Sequence, residues 1–217
     1  MVSRLSVQER RALLIDAAVG LAERKGVAGV TTRDVAKAAG VSLGVVHYCF
    51  ENKDALMFEL VQAMSSALRD CVDTDAGLWE RVGTGRDALR TLVRATLGML
   101  WLNVEASRRR QLLGIEAITF MLREGTEFAE PSDGSKKDGI GRIAMDQYAA
   151  NDARIAEVLA RASGVTDTAW SVSTVTLSRF VVTMLDGIVL RWLVDEDGAA
   201  ARTQLDILTD VLMSQVV

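Results

Sequence analysis

The sequence has few of the residues that mark secreted, metal-binding or cofactor-binding proteins. Its 217 residues include two cysteines and one histidine. Two cysteines are too few for the disulfide framework of a small secreted domain, and they fit a reducing cytosol. One histidine supplies neither the paired ligands of a zinc site nor the two Glu-x-x-His motifs of a di-iron bundle. We therefore expect no bound metal and no cofactor.

Long apolar runs are also missing. The most apolar stretch, residues 180–194, is interrupted by Asp186 and Arg191, whereas a membrane-spanning helix needs about 20 mostly apolar residues. Near the start of the chain, Arg10 and Asp16 interrupt the apolar segment that a signal peptide would require. These observations predict a cytoplasmic protein with no membrane partner.

The single proline, Pro131, and the absence of alternating β-branched runs favour an all-α fold. Apolar residues recur at helical spacing through most of the chain, which predicts about nine helices. A polar loop is expected over about residues 125–139. The predicted helices cover approximately residues 7–25, 32–39, 42–49, 53–71, 86–104, 107–123, 140–162, 167–194 and 199–216.

Charge is distributed unevenly along the chain. The net charge is −4, yet residues 1–53 hold eight basic and five acidic side chains, a local balance of +3. The remaining residues hold 17 basic and 24 acidic side chains. A basic end on an acidic body is typical of a small DNA-binding module joined to a body that avoids DNA.

Two short predicted helices flank residues 39–42, which is the arrangement of a helix-turn-helix. Thr31 is expected to cap the first helix, Gly40 to permit the turn, and Val41 to fill the space between the helices. The start of the second helix would face base edges in the major groove, and helix N-termini with basic residues would bind phosphates. The predicted DNA contacts are Thr31, Thr32, Arg33, Ser42, Leu43, Gly44, Val45, His47, Tyr48 and Lys53.

Residues 31–56 resemble the signature of the TetR/AcrR family of transcriptional regulators. The shared positions are a Thr-x-Arg-Asp start at Thr31, Ala-Gly-Val-Ser at residues 39–42, then Gly44, Phe50 and Lys53. The resemblance covers roughly residues 8–68, and residues 184–191 are similar to a late-helix segment of several members. Two positions depart from the signature, since the family usually has Tyr in place of His47 and an aromatic residue in place of Cys49.

The resemblance implies a three-helix DNA-binding domain over residues 1–52, extending into helix 4 to about residue 68. Residues 53–217 would form a helical ligand-binding and dimerisation domain. The protein would be a bacterial homodimer, associated with the nucleoid when bound, and a repressor that a small molecule releases from double-stranded operator DNA. Dimer contacts are expected in the last two long helices, at Val181, Leu185, Ile188, Val189, Trp192, Leu205, Leu208 and Leu212.

Methionines and aromatic residues on the middle helices are candidates for the wall of an adaptable ligand pocket. Polar residues among them would orient the ligand. The acidic ones point weakly toward a cationic or hydrogen-bond-donating ligand, although a neutral apolar ligand is equally easy to accommodate. The same residues are also compatible with an ordinary filled core. The candidates are Met99, Trp101, Asn103, Glu116, Phe120, Met121, Met145, Tyr148, Trp170 and Met184.

Two other functional classes stay open at this point. One is a DNA-binding regulator without a small-molecule ligand, and the other is a helical enzyme that reuses the scaffold. Residues 40–44 match the Gly-x-Ser-x-Gly pattern of a nucleophile elbow, but that motif needs a strand before the serine. Because a helix is predicted there and no catalytic constellation is visible, we expect no enzymatic activity.

Overall fold

The computed structural model describes residues 6–64, 76–126 and 138–217. These residues form ten helices and no strands, apart from an isolated β-bridge between Trp170 and Val216. The all-α prediction is confirmed, with one short helix, α5, in addition to those predicted. The helices are α1 Val7–Lys25, α2 Thr32–Ala38, α3 Leu43–Cys49, α4 Lys53–Met64, α5 Ala76–Arg81, α6 Arg86–Glu105, α7 Arg108–Thr126, α8 Asp138–Val165, α9 Thr174–Asp195 and α10 Gly198–Met213.

The start of α9 differs most from the prediction, which placed it near residue 167. Ser173 caps the helix by accepting a hydrogen bond from the N–H of Thr176 at 3.2 Å. The residues before Ser173 are held beside the C-terminus instead, where Ser171 donates its N–H to the carbonyl of Gln215 at 2.7 Å. The predicted end of helix 4 near residue 71 and most of the predicted loop at 125–139 lie outside the described residues.

The chain forms two compact units. Unit 1 comprises residues 1–65 and 112–146, and unit 2 comprises residues 66–111 and 147–217. This division differs from the predicted functional boundary after residue 52, because residues 112–146 group with the N-terminal helices. The functional boundary itself stays a prediction.

Unit 1 is organised around α1, which is closed at both ends. At its start, Ser6 and Glu9 form a capping box, in which the Ser6 N–H donates to the Glu9 carboxylate at 2.7 Å. At its end, Gly26 takes a positive φ of 78°, a conformation that glycine adopts without strain. The buried face of α1 packs into a core contributed by α1–α4 and α7, which includes Leu14, Ala18, Val35, Val46, Phe50, Leu56, Leu60, Leu113, Ala117 and Met121.

Unit 2 has a separate core made mainly by α6, α9 and α10. Its buried residues include Leu89, Leu92, Val93, Leu177, Val181, Leu208, Leu212 and Met213. Ion pairs cross from α6 to α10, among them Arg94 with Asp206 at 2.8 Å. Arg86 donates hydrogen bonds to the carbonyls of Met213 and Val216 and so satisfies acceptors at the end of α10. Over the residues described, none of the helices combines the length and apolar character needed to traverse a bilayer.

Candidate nucleic-acid interface and ligand site

The N-terminus of α2 is built as the sequence predicted. The hydroxyl oxygen of Thr31 accepts a hydrogen bond from the N–H of Asp34 at 3.1 Å, and the same hydroxyl donates to the Asp34 carboxylate at 2.8 Å. Asp34 is also paired with Lys25 of α1. The Lys25 ammonium and the Thr31 hydroxyl hold the pKa of Asp34 below its ordinary value. Because the Thr31 hydroxyl serves as the cap, Arg33 and Thr32 are the better candidates for phosphate contacts at this helix end.

The turn between α2 and α3 depends on the backbone of Gly40, whose φ is 67°. A Cβ at this position would meet no atom within 4 Å, so the requirement for glycine is conformational and not one of space. Val41 follows, donates its N–H to the carbonyl of Ala36 at 3.0 Å, and packs against the unit 1 core. The predicted roles of Gly40 and Val41 are confirmed.

Helix α3 has one buried face and one exposed face. Val46 and Cys49 are buried, whereas Ser42, Gly44, His47 and Tyr48 are exposed, with Tyr48 69% exposed. Ser42 is the N-cap residue, but its side chain makes no capping hydrogen bond. Its hydroxyl is therefore uncommitted at the end of the helix that would enter a groove.

Two of the predicted base contacts are less available than the sequence suggested. Leu43 and Val45 are half-buried and pack against the unit 1 core, which leaves only part of each side chain for DNA. The helix that precedes Ser42 is α2, so residues 40–44 do not form the strand-turn-helix of a nucleophile elbow.

Arg11 of α1 is a residue of this site that sequence reasoning missed. Its guanidinium donates to the carbonyl of Cys49, the last residue of α3, at 2.8 Å. It also pairs with Glu59 of α4 and lies 5.0 Å from the centre of the Phe50 ring. One side chain thus ties α1 to both α3 and α4. No local pattern marks it, because its partners are 38 and 48 residues away in the sequence.

The candidate ligand residues of unit 1 lie in different environments. Met121 is buried in the core, and Phe120 is half-buried beside Lys53, whose ammonium lies 5.9 Å from the ring centre. Met145 is 73% exposed, which contradicts its predicted place in a pocket wall. Glu116 has a backbone partner, since its Oε1 accepts a hydrogen bond from the N–H of Val27 at 2.8 Å.

Several candidates in unit 2 also have structural roles that the sequence did not reveal. Trp170 donates its indole N–H to the carbonyl of Leu159 at 3.0 Å and belongs to the C-terminal contact. Asn103 is exposed and bonds to the carbonyl of Met99 one turn earlier on α6. Met184 is exposed on α9. Asn103, Trp170 and Met184 are therefore poor candidates for a ligand-enclosing wall.

Trp101 and Tyr148 retain features of a ligand site. Trp101 is buried edge-to-face against Trp192, with ring centroids 5.5 Å apart, and within the described residues its indole N–H has no hydrogen-bond partner. Tyr148 of α8 donates its hydroxyl to the Asp186 carboxylate of α9 at 2.7 Å. Oδ1 of Asp152, one turn along α8 from Tyr148, is buried without a partner in the same part of the chain.

Tyr148, Asp152 and Asp186 form an acidic cluster. Desolvation raises the pKa of Asp186, the negative charge of Asp152 raises it further, and the hydrogen bond from Tyr148 opposes the rise. Desolvation and the bond to Asp186 raise the pKa of Tyr148, so its hydroxyl remains a proton donor at neutral pH. Among the ion pairs identified within the described residues, none involves Asp186 or Asp152.

The predicted dimer contacts stay a prediction, and the structure shows how much of each side chain a single chain leaves exposed. Six of the eight residues are already buried inside their own chain and have little surface left for a partner: Val181, Ile188, Trp192, Leu205, Leu208 and Leu212. Leu185 and Val189 are half-buried. The exposed apolar stripe of α9 consists instead of Phe180, Met184, Leu190 and Val194, and α10 exposes Ile207 and Val211.

Within the described residues, no group of three or more His, Cys, Asp or Glu side chains lies close enough together to hold a metal ion. His47 is exposed on α3 and Cys49 is buried, so the two side chains point to different surroundings.

Residues 14–60 match the family model described as bacterial regulatory proteins, tetR family. Over 98% of each chain, the protein is 25% identical to the nicotine-responsive transcriptional repressor HdnoR of Paenarthrobacter nicotinovorans. It is 37% identical to the transcriptional regulator BetI of Paraburkholderia xenovorans over 95 residues, which are 43% of this chain and 44% of that protein.

Among solved structures, the fold is similar to that of the multidrug binding protein EbrR complexed with ethidium. The TM-score is 0.60 at 26% sequence identity, over 94% of this chain and 99% of the other. The match with the family model ends at residue 60, whereas the likeness to HdnoR and EbrR extends through the helices that follow.

Proposed function

Since this chain belongs to the TetR family of bacterial regulatory proteins and is a DNA-binding transcriptional regulator, we propose that it is a repressor released from its operator by a small organic cation. The DNA-binding part of this proposal is supported by the exposed face of α3, which presents Ser42, Gly44, His47 and Tyr48 to solvent. The hydroxyl of Ser42 makes no capping hydrogen bond and is free to contact DNA. The protein acts in the bacterial cytoplasm, at the nucleoid when bound.

The operator is bound by two copies of the chain. Two recognition helices about 34–36 Å apart meet successive major grooves on one side of a duplex. The exposed apolar stripe on α9, which ends at the 74% exposed Val194, supports an interface with a second copy, since monomers rarely leave such a row of side chains in water. A ligand that binds better to a dimer with another spacing releases the DNA, and only that difference in affinity drives release.

Lys53 tests the DNA assignment. It is exposed at the N-terminus of α4, where the helix dipole adds to its charge. We expect Lys53→Ala to weaken binding to duplexes of any sequence and to reduce the salt slope by about 2 per dimer. Arg109→Ala, which removes an exposed charge from unit 2, is the matched control. If Lys53→Ala and wild type give the same affinities across a salt titration, Lys53 does not contact phosphate.

The ligand class follows from the acidic cluster of Tyr148, Asp152 and Asp186. Two neighbouring carboxylates beside an aromatic ring attract a cation, and the ring favours a cation with an apolar body. The names of the relatives agree with this class, because nicotine carries a protonated amine near neutral pH and ethidium is a cation. The buried indole N–H of Trp101 is a further candidate contact.

Calorimetric titration of the DNA-free protein with nicotine and with ethidium tests the ligand class. We expect binding that strengthens as the pH rises through the raised pKa of Asp186, since the ionised carboxylate is the binding form. Asp186→Asn should weaken binding at least about tenfold, because it removes a charge partner of the cation. Asp146→Asn, an exposed carboxylate on α8, is the control. Equal affinity in both variants would exclude Asp186 from the ligand site.

A further inference from the structure

Glu116 of α7 satisfies a backbone group in the segment that leads into α2. Its Oε1 accepts the N–H of Val27 at 2.8 Å, and Val27 is only 1% exposed. A buried N–H without an acceptor is costly, so the Glu116 carboxylate stabilises this segment by accepting the hydrogen bond. The approach is close enough that a Cβ on the neighbouring Gly26 would collide with the Glu116 carboxylate, in addition to the strain of a φ of 78°.

The hydrogen bond fixes the start of a short connection to the DNA-binding helices. The carbonyl of Val27 accepts the N–H of Val30 at 3.1 Å, and Val30 precedes Thr31, the residue that caps α2. Displacement of Val27 would therefore move the α2 N-terminus, which carries the predicted phosphate contacts Thr32 and Arg33.

Phe120 lies one turn beyond Glu116 on the same face of α7. The ammonium of Lys53 lies 5.9 Å from the centre of its ring, within the range of a cation–π contact. Between and beside these residues, Leu113, Ala117 and Met121 are buried in the core of unit 1. The middle of α7 is thus anchored in the same core as α1 to α4. Its half-buried Glu116 reaches the connection that precedes α2, and its half-buried Phe120 lies beside Lys53.

We propose that Glu116 and Phe120 are positioning residues for DNA binding: Glu116 holds the connection that sets the α2 N-terminus, and Phe120 holds Lys53 at the α4 N-terminus. The Phe120 half of this statement rests on the proposed phosphate contact of Lys53, whereas the Glu116 half does not. The assignment differs from the role of candidate ligand contact that the sequence offered for both residues.

The direction in which Glu116→Ala changes DNA affinity distinguishes this positioning role from a purely electrostatic one. Removal of a negative charge beside a DNA-binding surface ordinarily strengthens binding to a polyanion. We expect Glu116→Ala to do the opposite and to weaken ligand-free binding of the full chain to a fluorescein-labelled mixed-sequence duplex at low salt by about fivefold or more. Glu116→Gln keeps an acceptor oxygen for Val27 and should bind like wild type. Glu23→Ala, which removes an exposed carboxylate from α1, should bind as tightly as wild type or more tightly.

Three results overturn the Glu116 assignment: wild-type or tighter binding by Glu116→Ala, equal weakening by Glu116→Ala and Glu116→Gln, or equal weakening by Glu23→Ala. Circular dichroism at the assay temperature verifies that each variant is folded. If Glu116→Ala does not fold, Glu116→Gln still tests the hydrogen bond, because weakened binding by this isosteric variant would contradict it.

Phe120 is tested by a double-mutant cycle with Lys53. Phe120→Leu keeps an apolar side chain but removes the ring, so it should weaken DNA binding in the wild-type background and have no effect when Lys53 is already alanine. Additive effects would refute the link between the two residues. If Lys53→Ala alone leaves the salt slope unchanged, the phosphate contact fails and the Glu116 result still stands by itself.

Discussion

Arg11 offers the strongest test of how the recognition helix is held in place. Replacement by methionine keeps an unbranched apolar stem but removes the guanidinium that contacts Cys49, Phe50 and Glu59. The charged hydrogen bond to the Cys49 carbonyl is the largest of the three contributions. The Glu59 pair is partly exposed, so it must be discounted for solvent screening. Together the lost contacts amount to about 2 kcal/mol.

Hydrogen exchange of the α3 amides measures this loss locally, which matters because a chain with two compact units need not unfold in one step. A loss of about 2 kcal/mol corresponds to exchange roughly 30-fold faster for amides such as that of Phe50, which donates to the Val46 carbonyl at 2.8 Å. DNA binding should weaken in parallel, since the helix end is no longer fixed.

Arg10→Met is the matched control, because it removes the same charge from the adjacent position of α1. Among the described hydrogen bonds, the one from α1 to the end of α3 is made by Arg11 and not by Arg10. If α3 exchanges at the same rate in Arg10→Met and Arg11→Met, the guanidinium does not hold the helix, and the reasoning from these contacts is wrong.

Three further outcomes are expected. Gly44→Ala should raise helix stability by up to about 1 kcal/mol, because a Cβ there has only the Ser42 hydroxyl nearby, at 3.8 Å; it should nevertheless weaken operator binding, and unchanged binding would show that the α3 backbone does not closely approach the groove. Leu190→Asp, on the α9 stripe, should give monomers in sedimentation velocity, whereas Leu102→Asp, at a leucine of α6 that is 65% exposed against 52% for Leu190, should leave the dimer intact. Lys25 and Thr31 lower the pKa of Asp34 in the folded state, so their stabilisation is complete above the ordinary pKa of 3.8 and is lost as the pH falls through the lower folded value. The difference in unfolding midpoint between wild type and Asp34→Asn should therefore narrow in acid, and a constant difference would contradict the pairing.

Local signals predicted the N-terminal helices well. The periodicity from Val7 and the Lys25-Gly26 stop placed α1 at its observed bounds, and the glycine at position 40 placed the turn. These features depend on neighbours within one or two helical turns, where capping, helix period and glycine conformation are determined.

Long-range pairing explains what the sequence did not predict. Glu116 lies in an apolar stretch and looked like a ligand contact, but its partner Val27 is 89 residues away. In α9, apolar residues surround the helix, so composition could not distinguish the face buried by the same chain, which includes Val181, from the exposed face, which includes Phe180. Only the packing of α6 and α10 against α9 decides between them.

The two departures from the family signature have different consequences because they lie on opposite faces of α3. Cys49 is buried, so its exchange for an aromatic residue is a matter of core volume. His47 is exposed, so the fold places little demand on its side chain. Substitution of His47 by Tyr should therefore leave helix stability almost unchanged and alter the sequences selected from a random duplex pool. An unchanged selection would place His47 outside the DNA contact.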